Sequence, residues 1–477
     1  MSTMAAEVQT GAMPASRVPQ DLYRLVLLRK MGSELLVAGQ RPFLTLPSVE
    51  IPRWTRLAEN INAAVRKRYG ISTVCLFTTE PRVEGLGGGD PLYEVMETTD
   101  FGTTPADMHW LAVAALSDRS FADEQDGIEV ASAMRQICMF QRSEANGPFG
   151  RPGWSNELFA WAQVQLDPYG LRLNREFRQL NASPTFALLR LQTNGRAIWF
   201  KAVGEPNLPE LPITVALARL FPTFVPSLIA VRREWHAWLA EESEGRTLDS
   251  VSDGNAWRQA VSTFAGFQIS SLGKTDELFK AGCKDFRGPF LLSQVDSFVQ
   301  GMIGLMNQQT KSAPPIVARG ELQWLGERIK EALSTMATLQ IPETLGHLDP
   351  NPGNVVVSPD KCVFLDWAEG YIGPPFLTIE YFLEYLLQAW PTNDVLRTSV
   401  SDAYWACWAN VLSASVVTQC RELAPLIAAF ACAAKIASFY GAGASGDPNI
   451  GAYLRSLTRR MQREAKLPVG RSQRCSI

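Results

Sequence analysis

Residues 346–370 read GHLDPNPGNVVVSPDKCVFLDWAEG, and the reading of this stretch decides how the rest of the chain is organised. His347, Asp349 and Asn354 stand in the spacing H-x-D-x-x-x-x-N, ahead of an apolar run over 355–357. Ser358-Pro359-Asp360-Lys361 supplies turn-forming residues, and a second apolar run over 362–365 ends on Asp366. Two short apolar runs about such a turn predict a loop feeding a tight β-hairpin. Closing that hairpin brings Asn354, at its start, beside Asp366, at its end.

These residue types suit phosphoryl transfer. That reaction asks little covalent chemistry of a protein: one carboxylate to orient the attacking hydroxyl and take its proton, and hard oxygen ligands to hold Mg²⁺ against nucleotide phosphates. Asp349 fits the first role, and Asn354 with Asp366 the second. A bare H-x-D is only a polar turn; the full spacing with a hairpin and a terminal Asp is harder to obtain by accident.

The segment resembles the catalytic and metal-binding loops of the aminoglycoside phosphotransferase and choline kinase-like family, in the protein-kinase-like superfamily. That family usually shows H-G-D-x-H-P-G-N, then an apolar-Asp-Trp sequence. His347, Asp349, Pro352, Gly353, Asn354, Asp366 and Trp367 match, while Leu348 and Asn351 depart. Neither departure removes the base or a ligand, although Asn351 alters contacts with phosphate or substrate. The resemblance implies that His347 braces the loop.

Working outward, residues 186–193 and 196–203 are apolar runs joined by Asn194-Gly195, a strong hairpin signal. Lys201 lies near the end of the second, where the resemblance places the lysine that pairs with the α and β phosphates. Glu210 opens a helical pattern over 210–221 and could form the ion pair that positions it, with Pro209 and Pro212 blurring the helix start. The similarity continues to 241–245, which would lie beneath adenine. The loop expected over the phosphates, 181–185, has no glycine; Ser183 and Thr185 would supply hydroxyl and backbone contacts instead. Beyond it, helical patterns over 256–272, 291–307, 321–339, 381–389, 399–414, 423–440 and 450–466 suit a helical lobe that builds the acceptor cleft. Trp367, Glu369, Tyr371, Glu380 and Glu384 are candidates for lining it, with core aromatics and solvated helix faces as the plain alternative.

Upstream, strands over 23–28 and 34–37, a helix over 54–69 capped by Gly70, and a strand over 71–77 form an order similar to the Nudix hydrolase fold. The resemblance implies a box over 49–71. Val65 and Ile71 agree with it, but its magnesium-binding glutamates fall on Ala64, Lys67 and Arg68, and on Thr55 upstream. Lysine and arginine cannot ligate a hard dication, so this copy would lack Nudix chemistry. Any α/β domain could show such a helix and cap. Residues 85–89 (GLGGG) precede no helical pattern and read as a loop.

At 477 residues the chain is too long for one ordinary core. A hydrophobic fraction of 46% and a net charge of −3 describe a soluble globular protein, with no electrostatic case for nucleic acid. The eight cysteines are scattered without a C-x-x-C pair and read as reduced cytoplasmic thiols. The N-terminus has no secretory pattern. The apolar segment 424–434 is shorter than the roughly 20 residues of a spanning helix, which predicts a buried helix and no membrane partner.

The expected architecture is an α+β multidomain chain: a leader over 1–20, a small α/β Nudix-like domain over 21–145, a linker and helix over 146–170, and a bilobal protein-kinase-like fold with a β-rich N-lobe over 171–245 and a helical C-lobe over 246–477. The expected activity is transfer of the γ-phosphate of ATP or GTP to a hydroxyl of an unidentified small molecule, with Mg²⁺. A catalytically silent nucleotide-binding regulator is the alternative. A protein kinase is disfavoured because no Asp-Phe-Gly or Ala-Pro-Glu signature follows Asp366.

Overall fold

A computed structural model describes residues 19–53, 56–79, 91–99, 104–142, 147–440 and 448–466. The leader up to residue 18 and the 85–89 segment lie outside the described residues. Two compact units result, one of described residues up to Leu211 with Ser227–Glu242, the other of Pro212–Pro226 with the chain from Ser243 onward.

The first unit opens with β1 (Gln20–Arg29), β2 (Glu34–Ala38), β3 (Ser48–Pro52), α1 (Leu57–Tyr69), β4 (Thr73–Thr78), β5 (Leu92–Thr98), β6 (Met108–Ala112) and α2 (Glu124–Arg142). The strands form one mixed sheet in the order β4-β5-β1-β2-β6, with β3 on β1 and a parallel β1–β5 pair. Side chains alternate across a strand, so β1 buries both faces. Tyr23, Leu25 and Leu27 share a core with Ala58, Ile61 and Val65 of α1, while Val26 and Leu28 share one with Val130, Ala133 and Ile137 of α2. Gly70 ends α1 in the left-handed region at φ 70°, donating its N–H to the Arg66 carbonyl. The sequence reading does not anticipate β5, β6 or α2.

Two buried carboxylates on β5 carry a pH dependence. Burial pushes Glu94 up to about 7, with the Thr78 hydroxyl donating to it at 2.7 Å. Burial likewise pushes Glu97 up to about 7, although it accepts the Gly153 N–H at 2.5 Å. Between the ordinary value of 4.5 and about 7, the folded protein holds protons that the unfolded chain has released. Stability contributed by both groups therefore falls as pH rises through that window, by up to about 1.4 kcal/mol per pH unit for each. Glu94→Gln, which mimics the protonated form, should match wild type near pH 5 and melt several degrees higher near pH 8. Parallel melting curves across pH would refute this assignment.

After α3 (Trp154–Leu166) the chain forms β7 (Leu173–Ser183), β8 (Phe186–Thr193), β9 (Ile198–Ala202), the start of α4 (Glu210–Leu220), β10 (Leu228–Arg232) and β11 (Ala237–Glu241). The strands make an antiparallel sheet ordered β10-β11-β9-β8-β7. Trp154, Leu158, Ala162 and Leu166 of α3 join Phe149, Phe200 and Trp235 in its core. Gln179 of β7 binds the edge strand β4 as a strand partner would: Cys75 N–H donates to its Oε1 at 2.8 Å, and its Nε2 donates to the Cys75 carbonyl at 3.0 Å. This satisfies backbone groups that an edge strand leaves unpaired.

The second unit contains β12 (Arg246–Thr247), α5 (Gly254–Ser270), α6 (Thr275–Lys280), β13 (Lys284–Asp285), α7 (Gly288–Asn307), α8 (Arg319–Thr338), β14 (Thr344–His347), β15 (Val355–Val357), β16 (Cys362–Phe364), β17 (Gly370–Gly373), α9 (Phe376–Ala389), α10 (Asp394–Trp408), α11 (Ala414–Tyr440) and α12 (Pro448–Lys466). Its two small sheets run β12-β15-β16 and β13-β17-β14. The helix expected over 399–414 lies earlier, because Asn393 caps it by accepting the Leu396 N–H at 3.0 Å. The helix expected over 423–440 begins at Ala414 and runs through Pro425. By length and composition its Ala414–Ile436 part could cross a membrane; in this unit Cys420, Ala424, Ile427, Phe430 and Ala431 pack into the core.

Candidate functional site

The expected hairpin forms, pairing Val355 with Phe364 and Val357 with Cys362. At its open end the Leu365 N–H donates to the Asn354 carbonyl at 2.8 Å, which ties the residue before Asp366 to Asn354. Both side chains are partly exposed there. Asp366 adopts φ 62° and ψ 61°, a left-handed conformation that non-glycine residues seldom take. Such strain persists where the surroundings over-determine it, commonly at working sites. Asn351, the departure from the family pattern, accepts the Gly353 N–H on its Oδ1 at 2.8 Å and so shapes the short turn leading to Asn354.

His347 is 2% exposed, and its hydrogen bonds define its role. Its Nδ1 accepts the Asp349 N–H at 3.1 Å and its Nε2 faces the Leu365 carbonyl at 3.2 Å, which requires the proton on Nε2. Burial holds the imidazole below its ordinary value, against the opposing pull of Asp349 and Asp366. A neutral ring thus links the Asp349 loop to the strand that delivers Asp366, the bracing role that the resemblance implies. Thr378 of α9 locks the same point, its hydroxyl accepting the His347 N–H at 2.9 Å and donating to the His347 carbonyl at 3.1 Å.

Sequence reading missed one side chain at the candidate base. Tyr385, seven positions after Thr378 and on the same face of α9, donates its hydroxyl to Asp349 Oδ1 at 2.7 Å. Burial, then the Asp349 charge, holds the phenol above the usual tyrosine range, so it remains a donor at any working pH. One carboxylate oxygen is thereby fixed while the other keeps its orientation. Tyr385→Phe removes a charge-assisted hydrogen bond, so kcat should fall about tenfold while KM for nucleotide holds. An unchanged kcat would mean that Tyr385 only fills space.

In the first unit, Lys201 stands on β9 opposite Leu188 of β8 and Trp238 of β11. Its Nζ meets Glu210 Oε1 at 2.5 Å, and the two side chains are 14% and 1% exposed. The prolines do not delay the helix: α4 starts at Glu210, and prolines in a first turn remove N–H groups that have no helical partner. The 181–185 span differs from expectation. Asn181, Ala182 and Ser183 extend β7, paired with Leu188, Ala187 and Phe186, which leaves a two-residue turn of Pro184 and Thr185. The Thr185 N–H donates to Ser183 Oγ at 3.3 Å. Strand pairing of 181–183 and close approach of Gly204 to Thr185 account for the tight turn; a Cβ on Gly204 would lie 2.8 Å from the Thr185 carbonyl oxygen.

Among the cleft candidates, Trp367 and Tyr371 are core residues, 1% and 0% exposed, bonded to the carbonyls of Phe364 and Pro374. Glu369 pairs with Lys435, and Glu380 and Glu384 with Arg460 at 3.9 and 2.9 Å. For a metal, Asn354 and Asp366 offer the hard oxygen donors that suit Mg²⁺, which keeps waters and takes its other ligands from phosphate. No cluster of three or more His, Cys, Asp or Glu gathers as a closed cage among the described residues.

No protein-family model and no curated protein matches the chain. Among solved structures, an ethanolamine kinase from Plasmodium vivax is 11% identical, at a TM-score of 0.46, covering 70% of this chain and 95% of its own. A choline kinase from Cryptosporidium parvum is 12% identical, with a TM-score of 0.45 and coverages of 65% and 95%. The GDP complex of aminoglycoside 2'-phosphotransferase-IIIa is 13% identical, with a TM-score of 0.44 and coverages of 65% and 99%.

Proposed function

We propose that the chain is a Mg²⁺-dependent phosphotransferase that moves the γ-phosphate of ATP or GTP to a hydroxyl of a small molecule in the cytoplasm. The observation that carries this reading is the hairpin end, where a neutral His347 bonds both the Asp349 loop and the carbonyl next to Asp366. Asp349 takes the proton of the acceptor hydroxyl as its oxygen bonds to the γ-phosphorus. The bond from that phosphorus to the β–γ bridging oxygen breaks, and the nucleoside diphosphate leaves with the electron pair. Lys201, oriented by Glu210, clamps phosphate oxygens, and Ser183 and Thr185 offer hydroxyls to them. Asn354 and Asp366 hold Mg²⁺, whose chemistry when bound is to neutralise charge on the phosphates.

In the same reading the N-terminal mixed sheet is a Nudix-like domain without its catalytic box. Lys67 and Arg68 are exposed, and Arg68 donates to the Ser48 carbonyl at 2.9 Å, which suits a surface role. The test is calorimetry of ATP and GTP with and without Mg²⁺ on folded wild-type protein. Metal-dependent binding supports the reading, and absence of binding to either nucleotide ends it.

A further inference from the structure

Within the phosphotransferase reading, we propose that the N-terminal mixed sheet braces the phosphate turn, and that Gln179 is the positioning residue through which it acts. The turn at 183–185 has little backbone to offer a phosphate. Pro184 has no N–H, and the Thr185 N–H is already given to Ser183 Oγ at 3.3 Å. What remains is a pair of hydroxyls, Ser183 Oγ and Thr185 Oγ1, 3.5 Å apart. Two short side chains meet a ligand only where the strand puts them, so the placement of β7 sets how well they bind. Yet β7 is the edge of its own sheet, anchored there on one side alone. Its other side is held by the N-terminal domain. Gln179 is 2% exposed; its Oε1 accepts the Cys75 N–H at 2.8 Å and the Asn62 amide at 3.1 Å, and its Nε2 donates to the Cys75 carbonyl at 3.0 Å. Asn62 of α1 is fixed in turn, its Oδ1 accepting the Thr73 hydroxyl at 2.7 Å. Ala182 packs against the core that holds Leu25, Leu27 and Ile61.

A β-bulge separates the braced face of β7 from the face that serves the ligand. Gln179 pairs with Leu189 and Asn181 with Leu188, which leaves Leu180 as an extra residue. In an unbroken strand, Gln179 would share a face with Asn181 and Ser183. With the bulge, Gln179 and Ala182 lie on one face, opposite Leu189 and Ala187, while Asn181 and Ser183 lie on the other. That second face is the face of Leu188, and Leu188 pairs onward with Lys201. One side of β7 therefore grips the N-terminal domain, and the other presents Ser183 on the face that carries the phosphate-clamping lysine. Gly204, just past β9, closes on Thr185 from the lysine side. The hydroxyls are thus held relative to Lys201 from two directions, and Gln179 supplies the direction that β8 and β9 cannot.

The test is calorimetry of Mg²⁺-ATP and Mg²⁺-GTP on the full chain, well below the melting transition of every variant. Gln179→Leu removes all the Gln179 hydrogen bonds and leaves the Cys75 backbone unpaired. Asn62→Ala removes one bond and keeps Cys75 paired, so it reads the brace even if the first variant does not fold. Val130→Ala, in the core between α2 and the other face of the N-terminal sheet, is the control for lost stability. The Kd of Mg²⁺-nucleotide should rise about tenfold in Gln179→Leu and about threefold in Asn62→Ala. It should stay within about twofold of wild type in Val130→Ala, although that variant melts several degrees lower. Unchanged affinity in Asn62→Ala or in folded Gln179→Leu, or an equal loss in Val130→Ala, would make the N-terminal sheet a packing partner only and overturn the assignment. Wild-type protein that binds neither nucleotide is a different result: it ends the phosphotransferase reading, and this inference with it.

Discussion

Asp349→Asn is expected to lower kcat by about 10³-fold while leaving Mg²⁺-nucleotide affinity within about twofold of wild type. The amide keeps an acceptor oxygen for the Tyr385 hydroxyl, and the backbone N–H bonded to His347 is untouched, so the loop should hold its shape. What disappears is the ability to take the acceptor's proton. A loss confined to kcat, with binding retained, identifies Asp349 as the base. If KM for nucleotide rose instead and kcat held, Asp349 would be acting on the nucleotide side and the assignment would be wrong. Nucleotide binding unaltered and no diphosphate release from wild type with any acceptor would favour the silent regulator.

Features encoded in adjacent residues were legible from sequence. The hairpin about 358–361 announced itself through two apolar runs and turn chemistry, and it forms within a residue of expectation. The Gly70 cap falls where it is expected, whereas Asn194-Gly195 sits in a wider turn: β8 and β9 pair only from Leu191 and Ile198, and β9 starts two residues later than the apolar run suggests. The Lys201–Glu210 pair was also visible, because a strand and the next helix brought the two together over a short separation. The Tyr385 bond to Asp349 spans 36 positions and depends on how α9 packs, so nothing in the neighbouring residues marks it. The strand extension over 181–183 follows from pairing with β8, which outweighs the loop character of Asn181 and Ser183. The early start of α11 has a similar reason: packing of Val416, Val417 and Cys420 against the core carries the helix nine residues upstream of the apolar stretch that begins at Leu423, through Pro425.

Asp366 allows a test in which stability and activity move apart. At φ 62°, an alanine suffers the left-handed penalty in full, whereas glycine adopts that conformation freely. Asp366→Gly should therefore be more stable than Asp366→Ala by about 1 kcal/mol, a difference of a few degrees in melting temperature for the second unit. Both variants lack the carboxylate, so both should lose Mg²⁺-dependent nucleotide binding by at least about 100-fold, which calorimetry with and without Mg²⁺ would read. If Asp366 served only as a turn residue, the glycine variant would retain binding and the alanine variant would lose it in proportion to its instability. Equal loss at unequal stability assigns the residue to the metal. It also explains why an aspartate occupies a position where glycine would fold more easily.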